Sequence, residues 1–196
     1  MVEFPVDEVR KSAAALPPLP KGFAAVIPTT EAHFSAWVAL LNEEPGFGCW
    51  TMERLKTELL AKLVPSAALL VLHEGRAIAC ACATDASTPR RKIAVGMFLY
   101  VVPKYRRKAE IAAVTTFGML NQCVIHGYQE IVASTDPERL SALALYLSNG
   151  SRPVCRTFGS WLRWRRILKR LGPTLEKMQR RQARRRALQE NQYAAD

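Results

Sequence analysis

The stretch "SAALLVLHEGRAIACACATD", Ser66 to Asp85, sets two apolar runs on either side of Glu74-Gly75. It constrains the fold more than any other feature of the chain, because runs of this length around such a step predict a β-hairpin. The polar turn "STPRRK" follows, then "IAVGMFLYVV", which is apolar enough to predict a strand covered on both faces. Ala109, Ala113, Phe117, Leu120 and Val124 next mark one face of a long helix that Gly127 stops, and "QEIVAST" predicts a further strand. Strand, helix, strand in that order implies a parallel pair with a right-handed crossover between residues 93 and 135.

The flanks complete an α/β class with a mixed sheet. "FAAVIPTT" predicts a short strand. "TTEAHFSAWVALLNEE" predicts an amphipathic helix capped by Thr30, with Phe34, Trp37, Val38 and Leu41 at helical spacing. "PGFG" breaks it, and "TMERLKTELLAKLV" predicts a second helix capped by Thr51, with Leu55, Leu59 and Leu63 on one stripe. Downstream, "DPERLSALALYLSNG" predicts a helix closed by Asn149-Gly150, and "SRPVCRTF" a last strand. Residues 1–21 end in "ALPPLPKG", whose prolines forbid a helix there, so they are expected as an extended lead-in.

The formal charge of +11 is unevenly placed. Arg156 to Arg186 holds twelve Lys or Arg and one acid, Glu176, so this arm carries the whole excess and the rest of the chain is neutral. "SWLRWRRILKRL" predicts an amphipathic helix through Trp161, Trp164 and Leu168, interrupted at Gly172-Pro173. Residues 172–196 are then expected as a helix-prone basic tail. Such a tail is a solvated face, or it neutralises the phosphates of nucleic acid, meets anionic lipid or contacts an acidic partner. No apolar run approaches the roughly 20 residues of a membrane span, and the N-terminus has no signal-peptide pattern. The five cysteines are scattered and lack zinc-ligand spacing, as do the three histidines, so buried thiols in a reducing cytosol are expected and no metal site. A cytoplasmic location follows.

"LYVVPKYRRKAEIAA" raises a physical question. A helix N-terminus carries partial positive charge, yet Arg106, Arg107 and Lys108 are stacked there, which is unfavourable unless an anion joins them.

This stretch and "ASTDPERLSALALYLSNGSRPV" together resemble the GNAT-type acyl-CoA N-acyltransferase superfamily. The first is similar to its strand, V-x-P-x-Y-R, turn and long helix. The second is similar to its D-x-x-R-x-x-A-x-x-L-Y-x-x-x-G signature. The resemblance covers residues 22–171, the expected domain. It implies a GNAT-like mixed, largely antiparallel sheet with a splayed parallel strand pair, flanked by helices. It further implies acetyl-CoA as cofactor, with the pantetheine arm along Leu99, Val101 and Val102 and the diphosphate on the turn Arg106, Arg107, Lys108, Ala109, Glu110 and Ile111. Acyl transfer to the primary amine of a small molecule or peptide is the implied activity, with Tyr146 protonating the departing thiolate. A homodimer is compatible with this reading.

The chain departs from the family pattern at two glycine or small-residue positions, now Ala109 and Ile111, and places Glu110 where a dianion would rest. At an effective dielectric near 20, charges about 5 Å apart interact by roughly 3 kcal/mol, so Arg106, Arg107 and Lys108 are expected to offset Glu110. The other outcome is a non-catalytic binding or adaptor protein that has lost the cofactor. For the amine's proton, Asp136 is the best-placed acid, and it equally suits a helix cap or a bridge to Arg139. Glu43 and Glu44 lie in the loop expected to shape the acceptor pocket. His126 suits a helix C-terminus, and His73 is expected to be exposed beside the hairpin turn.

Overall fold

The computed structural model describes residues 1–106 and 108–193. Contacts divide the chain into two compact units, Glu3–Ser134 and a second made of Met1–Val2 with the chain from Thr135 onward.

From Glu3, the last residue of β1 (Val2–Glu3), the larger unit runs through α1 (Val6–Ala14), β2 (Phe23–Val26), α2 (Glu31–Asn42), α3 (Met52–Arg54), β3 (Leu63–His73), β4 (Arg76–Asp85), β5 (Ile93–Val101), α4 (Ala109–Ile125) and β6 (Glu130–Ala133). The strands lie in the order β2-β3-β4-β5-β6-β1. The pairs β2–β3, β3–β4 and β4–β5 are antiparallel, and β5–β6 is parallel. The β3–β4 turn has Glu74 and Gly75 both at positive φ (52° and 76°), the conformation a two-residue hairpin needs to match strand twist.

Residues of the central strands alternate between two layers, except at a bulge in β4 where Ile78 and Ala79 share one. Leu70, Cys80 and Tyr100 pack with Trp37, Leu40, Leu41, Leu55 and Leu59 from α2 and the segment after α3. Val71, Ile78, Ala79 and Val101 pack with Ile111 of α4. Both faces are covered, which explains why these strands read as unbroken apolar runs.

The smaller unit holds α5 (Leu140–Ser148), β7 (Arg152–Pro153) and α6 (Phe158–Tyr193), with Val154 N–H bonded to the Met1 carbonyl. α5 packs along α6.

Four expectations change. The lead-in is not all extended: α1 forms because its prolines fall after it, Asp7 and Glu8 occupy its first turn, and Lys11 bonds Glu8 at 2.8 Å. The helix after Thr51 is one α-turn, a π-turn at Leu55–Leu59 and a 3-10 turn at Leu60–Lys62, because β3 takes Leu63 to pair with Thr84. Gly172-Pro173 does not interrupt α6. Proline's fixed φ near −65° is helical, so the helix loses a hydrogen bond without losing its path. Cys80, Cys82 and Cys123 are buried free thiols, whereas Cys49 and Cys155 are exposed.

Candidate active site

The site is built on the C-terminal half of β5. Its parallel pairing with β6 runs from Ile93↔Glu130 to Gly96↔Ala133 and stops there, while β5 continues to Val101. Immediately beyond that last pair, the ladder to β4 slips. Cys82 faces Met97 and Cys80 faces Tyr100, so Ala81 opposes both Phe98 and Leu99. This is a β-bulge, which bends and twists the strand that carries it. Phe98 adopts φ 52° there, a left-handed conformation unfavourable for a bulky side chain. Its ring is held edge-on against Phe47 and Trp50, with centroids 5.1 and 5.2 Å apart. Asn42 fixes that loop by bonding Trp50 N–H and carbonyl at 2.7 and 2.9 Å.

The next residues set which backbone groups face the opening. Val102 N–H donates to the Ile78 carbonyl at 2.9 Å, so it is spent on β4. Alternation then turns the N–H and C=O of Val101, and of Leu99 two residues back, away from β4. The chain passes through a 3-10 turn at Pro103–Tyr105 and enters α4, whose N-cap, Lys108, supplies no side-chain hydrogen bond. Ile111 N–H bonds the Lys108 carbonyl at 3.1 Å. A 17-residue helix thus begins beside the end of β5 with its dipole uncapped by a side chain.

The cations expected to cluster here are dispersed. Arg106 Nε donates to the Val101 carbonyl at 2.8 Å; its guanidinium lies 3.8 Å from Glu44 and 5.6 Å from the Tyr100 ring centre. Lys108 Nζ sits 4.4 Å over the Phe23 ring, and Lys104 Nζ 4.8 Å over Tyr105. Arg107 lies outside the described residues. A carbonyl, a carboxylate and aromatic faces therefore hold like charges apart at this turn. Ile111 is fully buried in the sheet-facing core, so its side chain stays out of the turn itself. Glu110 is half-buried in the first turn of α4.

Around this centre, Glu43 pairs with Arg76. Burial pushes the Tyr100 phenol up, Glu43 adds to the shift, and Arg106 opposes it. His73 is not exposed. Its Nδ1 is 3.1 Å from the Tyr105 hydroxyl, and its ring lies against Phe23 with centroids 4.2 Å apart. His126 caps α4, and its carbonyl accepts from Lys92 Nζ at 3.0 Å.

Tyr146 and Asp136 belong to the smaller unit. Tyr146 is buried on α5, and burial pushes its phenol up to about 12, with Arg139 opposing. It therefore keeps its proton at neutral pH, the state a proton donor requires. Asp136 Oδ1 accepts from Glu138 N–H at 2.8 Å and its carbonyl from Arg139 N–H at 3.0 Å. The carboxylate organises the turn before α5. Glu138 in turn makes two hydrogen bonds, 3.0 and 2.9 Å, to Arg170 of α6.

Among the described residues, Leu99–Val101 lie on a strand, Pro103–Tyr105 in a 3-10 turn and Ala109–Ile111 in the first turn of α4, the order the sequence predicts. The bulge at Phe98, the Asn42–Trp50 bracket and the Arg106–Val101 bond escaped the sequence reading. A bulky residue within an apolar run gives no sign of positive φ.

No protein-family model matches the sequence, and no curated protein matches it. Solved structures do. An aminoglycoside N-acetyltransferase, AAC(6')-Iy in complex with a bisubstrate analogue of CoA, is 16% identical with a TM-score of 0.56, covering 69% of this chain and 95% of its own. The glucosamine-6-phosphate N-acetyltransferase of Arabidopsis thaliana is 15% identical, TM-score 0.51, covering 69% and 98%. The ribosomal-protein-S18-alanine N-acetyltransferase of Escherichia coli is 14% identical, TM-score 0.54, covering 68% and 79%. The chain has the fold of the GNAT acetyltransferases.

Proposed function

We propose that this protein is an acyl-CoA-dependent N-acyltransferase that moves an acetyl group to a primary amine. One observation carries the reading: β5 parts from β6 after Gly96↔Ala133, and its free edge runs directly into the start of α4. An edge with outward N–H and C=O groups accepts an amide-bearing chain as an added strand. A helix start accepts a diphosphate. The backbone of Leu99, the Val101 N–H and the backbone of Lys108–Glu110 fit such a ligand, whereas the Val101 carbonyl is already bonded by Arg106. Bound acetyl-CoA would supply an activated acyl thioester. The amine nitrogen bonds the acyl carbon, the carbon–sulfur bond breaks, the sulfur takes a proton and the amine loses one.

Within that reaction, Tyr146 is the proposed holder of the proton for the leaving sulfur. Asp136 is the proposed organiser of the Asp136–Arg139 turn, and the amine's proton passes to solvent. Arg106 positions the turn. Glu43 and Glu44 lie in the loop that packs on Phe98 and Tyr100, where an acceptor amine would be met. The GNAT structures similar in fold include enzymes for aminoglycosides and for glucosamine 6-phosphate, which supports an amine acceptor.

A second reading is favoured by a different observation. Arg106 occupies the Val101 carbonyl that strand addition would use, so a non-catalytic GNAT-fold protein would leave that contact intact. Release of CoA from acetyl-CoA in the presence of a panel of primary amines separates the two. The acyltransferase reading expects amine-dependent release that Tyr146→Phe lowers; amine-independent background alone contradicts it.

A further inference from the structure

α6 carries two stripes of large apolar side chains. Trp164, Ile167 and Leu171 are buried. Phe158, Trp161 and Leu168 form the other stripe and stand 74%, 46% and 39% exposed, so docking of the helix does not account for them. The Phe158 and Trp161 rings are stacked, centroids 5.7 Å and planes 20° apart. Arg165, one turn on from Trp161, lies with its guanidinium 5.7 Å from that ring. Lys169 follows one turn later, and Arg163 and Arg166 are also exposed.

We infer that this face of α6 binds single-stranded nucleic acid, with Phe158 and Trp161 stacking on bases and Arg165, Arg166 and Lys169 neutralising phosphates. Flat aromatic faces interleaved with cations are the combination that single strands require. Every base offers a π-face, and the backbone offers a charge at each step. Charge complementarity favours this partner. The arm from Arg156 to Arg186 has twelve cations against one acid, a charge excess that a phosphate backbone with one negative charge per nucleotide matches. A membrane surface fits less well. Insertion needs an apolar face along the helix, but here Arg165 interrupts the stripe, and among the described residues those exposed after Pro173 are Thr174, Glu176, Lys177 and Arg180. The inference is independent of the acyltransferase reading.

The test is fluorescence anisotropy of the full chain with labelled 16-nucleotide oligouridylate and oligothymidylate across a salt series. Three neutralised phosphates predict a slope of log Kobs against log salt of about −2. Trp161→Ala should weaken binding about fivefold or more, while Trp161→Phe retains most of it and both variants keep the wild-type melting temperature. Arg165→Glu with Lys169→Glu should flatten the salt slope. Absence of binding at low salt would overturn the inference. So would unchanged affinity in Trp161→Ala, which would reduce the face to a solvated charge array. Sedimentation of the protein with phosphatidylserine vesicles that the oligonucleotides fail to compete would also overturn it.

Discussion

Arg106 Nε donates to the Val101 carbonyl at 2.8 Å, linking the turn before α4 back to the strand edge it leaves. The same guanidinium lies 3.8 Å from the Glu44 carboxylate, whose side chain is 22% exposed. The carbonyl contact is the stronger because it is short and part-buried, whereas the ion pair is long and screened. Arg106→Ala should therefore cost about 1–2 kcal/mol in urea unfolding. Glu44→Gln should cost under about 1 kcal/mol. The reverse ranking would mean that the ion pair, and not the carbonyl bond, holds the turn.

Phe98 offers an inversion of the usual substitution order. Both Phe98→Ala and Phe98→Gly lose the ring contacts with Phe47 and Trp50, but only glycine takes φ 52° without strain. Phe98→Gly should be the more stable of the two by about 1 kcal/mol. Equal midpoints in chemical denaturation would show that the bulge relaxes once the ring is gone.

Ile111 stands in the first turn of α4, yet its side chain belongs to the core. Its side chain is fully buried against Val71, Ile78, Ala79 and Val101. Ile111→Ala should destabilise by roughly 2–4 kcal/mol through the cavity it opens. A loss below about 1 kcal/mol, measured by thermal and urea unfolding, would place the side chain outside the core.

Alkaline pH should weaken the fold in a definable window. Burial pushes Cys80 from an ordinary 9.0, and Tyr146 from 10.0, to about 12; Tyr128 reaches about 12 through burial and the Asp85 carboxylate. Each group is protonated more readily in the folded than in the unfolded chain. Above pH 9 the unfolded state therefore binds fewer protons, and stability falls as pH rises from 9 towards 12. Urea titrations at pH 8, 9, 10 and 11 should show a progressive decline, attenuated in Tyr128→Phe. A flat profile would contradict the burial of these groups.

Much of the larger unit was legible in the sequence. The hairpin at Glu74-Gly75, β5, α4 and β6 all announce themselves through apolar runs and a 3.6-residue period. The features that escaped are set by tertiary contacts. Phe98 turns left-handed because Phe47 and Trp50 hold its ring, and Leu63 leaves a helical stripe because Thr84 pairs with it in the sheet. The motif singles out the run Arg106–Ile111, but it does not show where the cations of Arg106 and Lys108 go. Glu44, Phe23 and the Val101 carbonyl reach those cations through the fold and not through local sequence.

The proposed acyltransferase requires β5 and α4 to hold a coenzyme A thioester. Thermal unfolding of the full chain with and without acetyl-CoA tests this directly. At 100 times its dissociation constant, ligand should stabilise by about 2.7 kcal/mol, a rise in melting temperature of about 5–10 °C for a chain of this size. No rise at millimolar acetyl-CoA would contradict the acyltransferase and leave a GNAT fold without its cofactor.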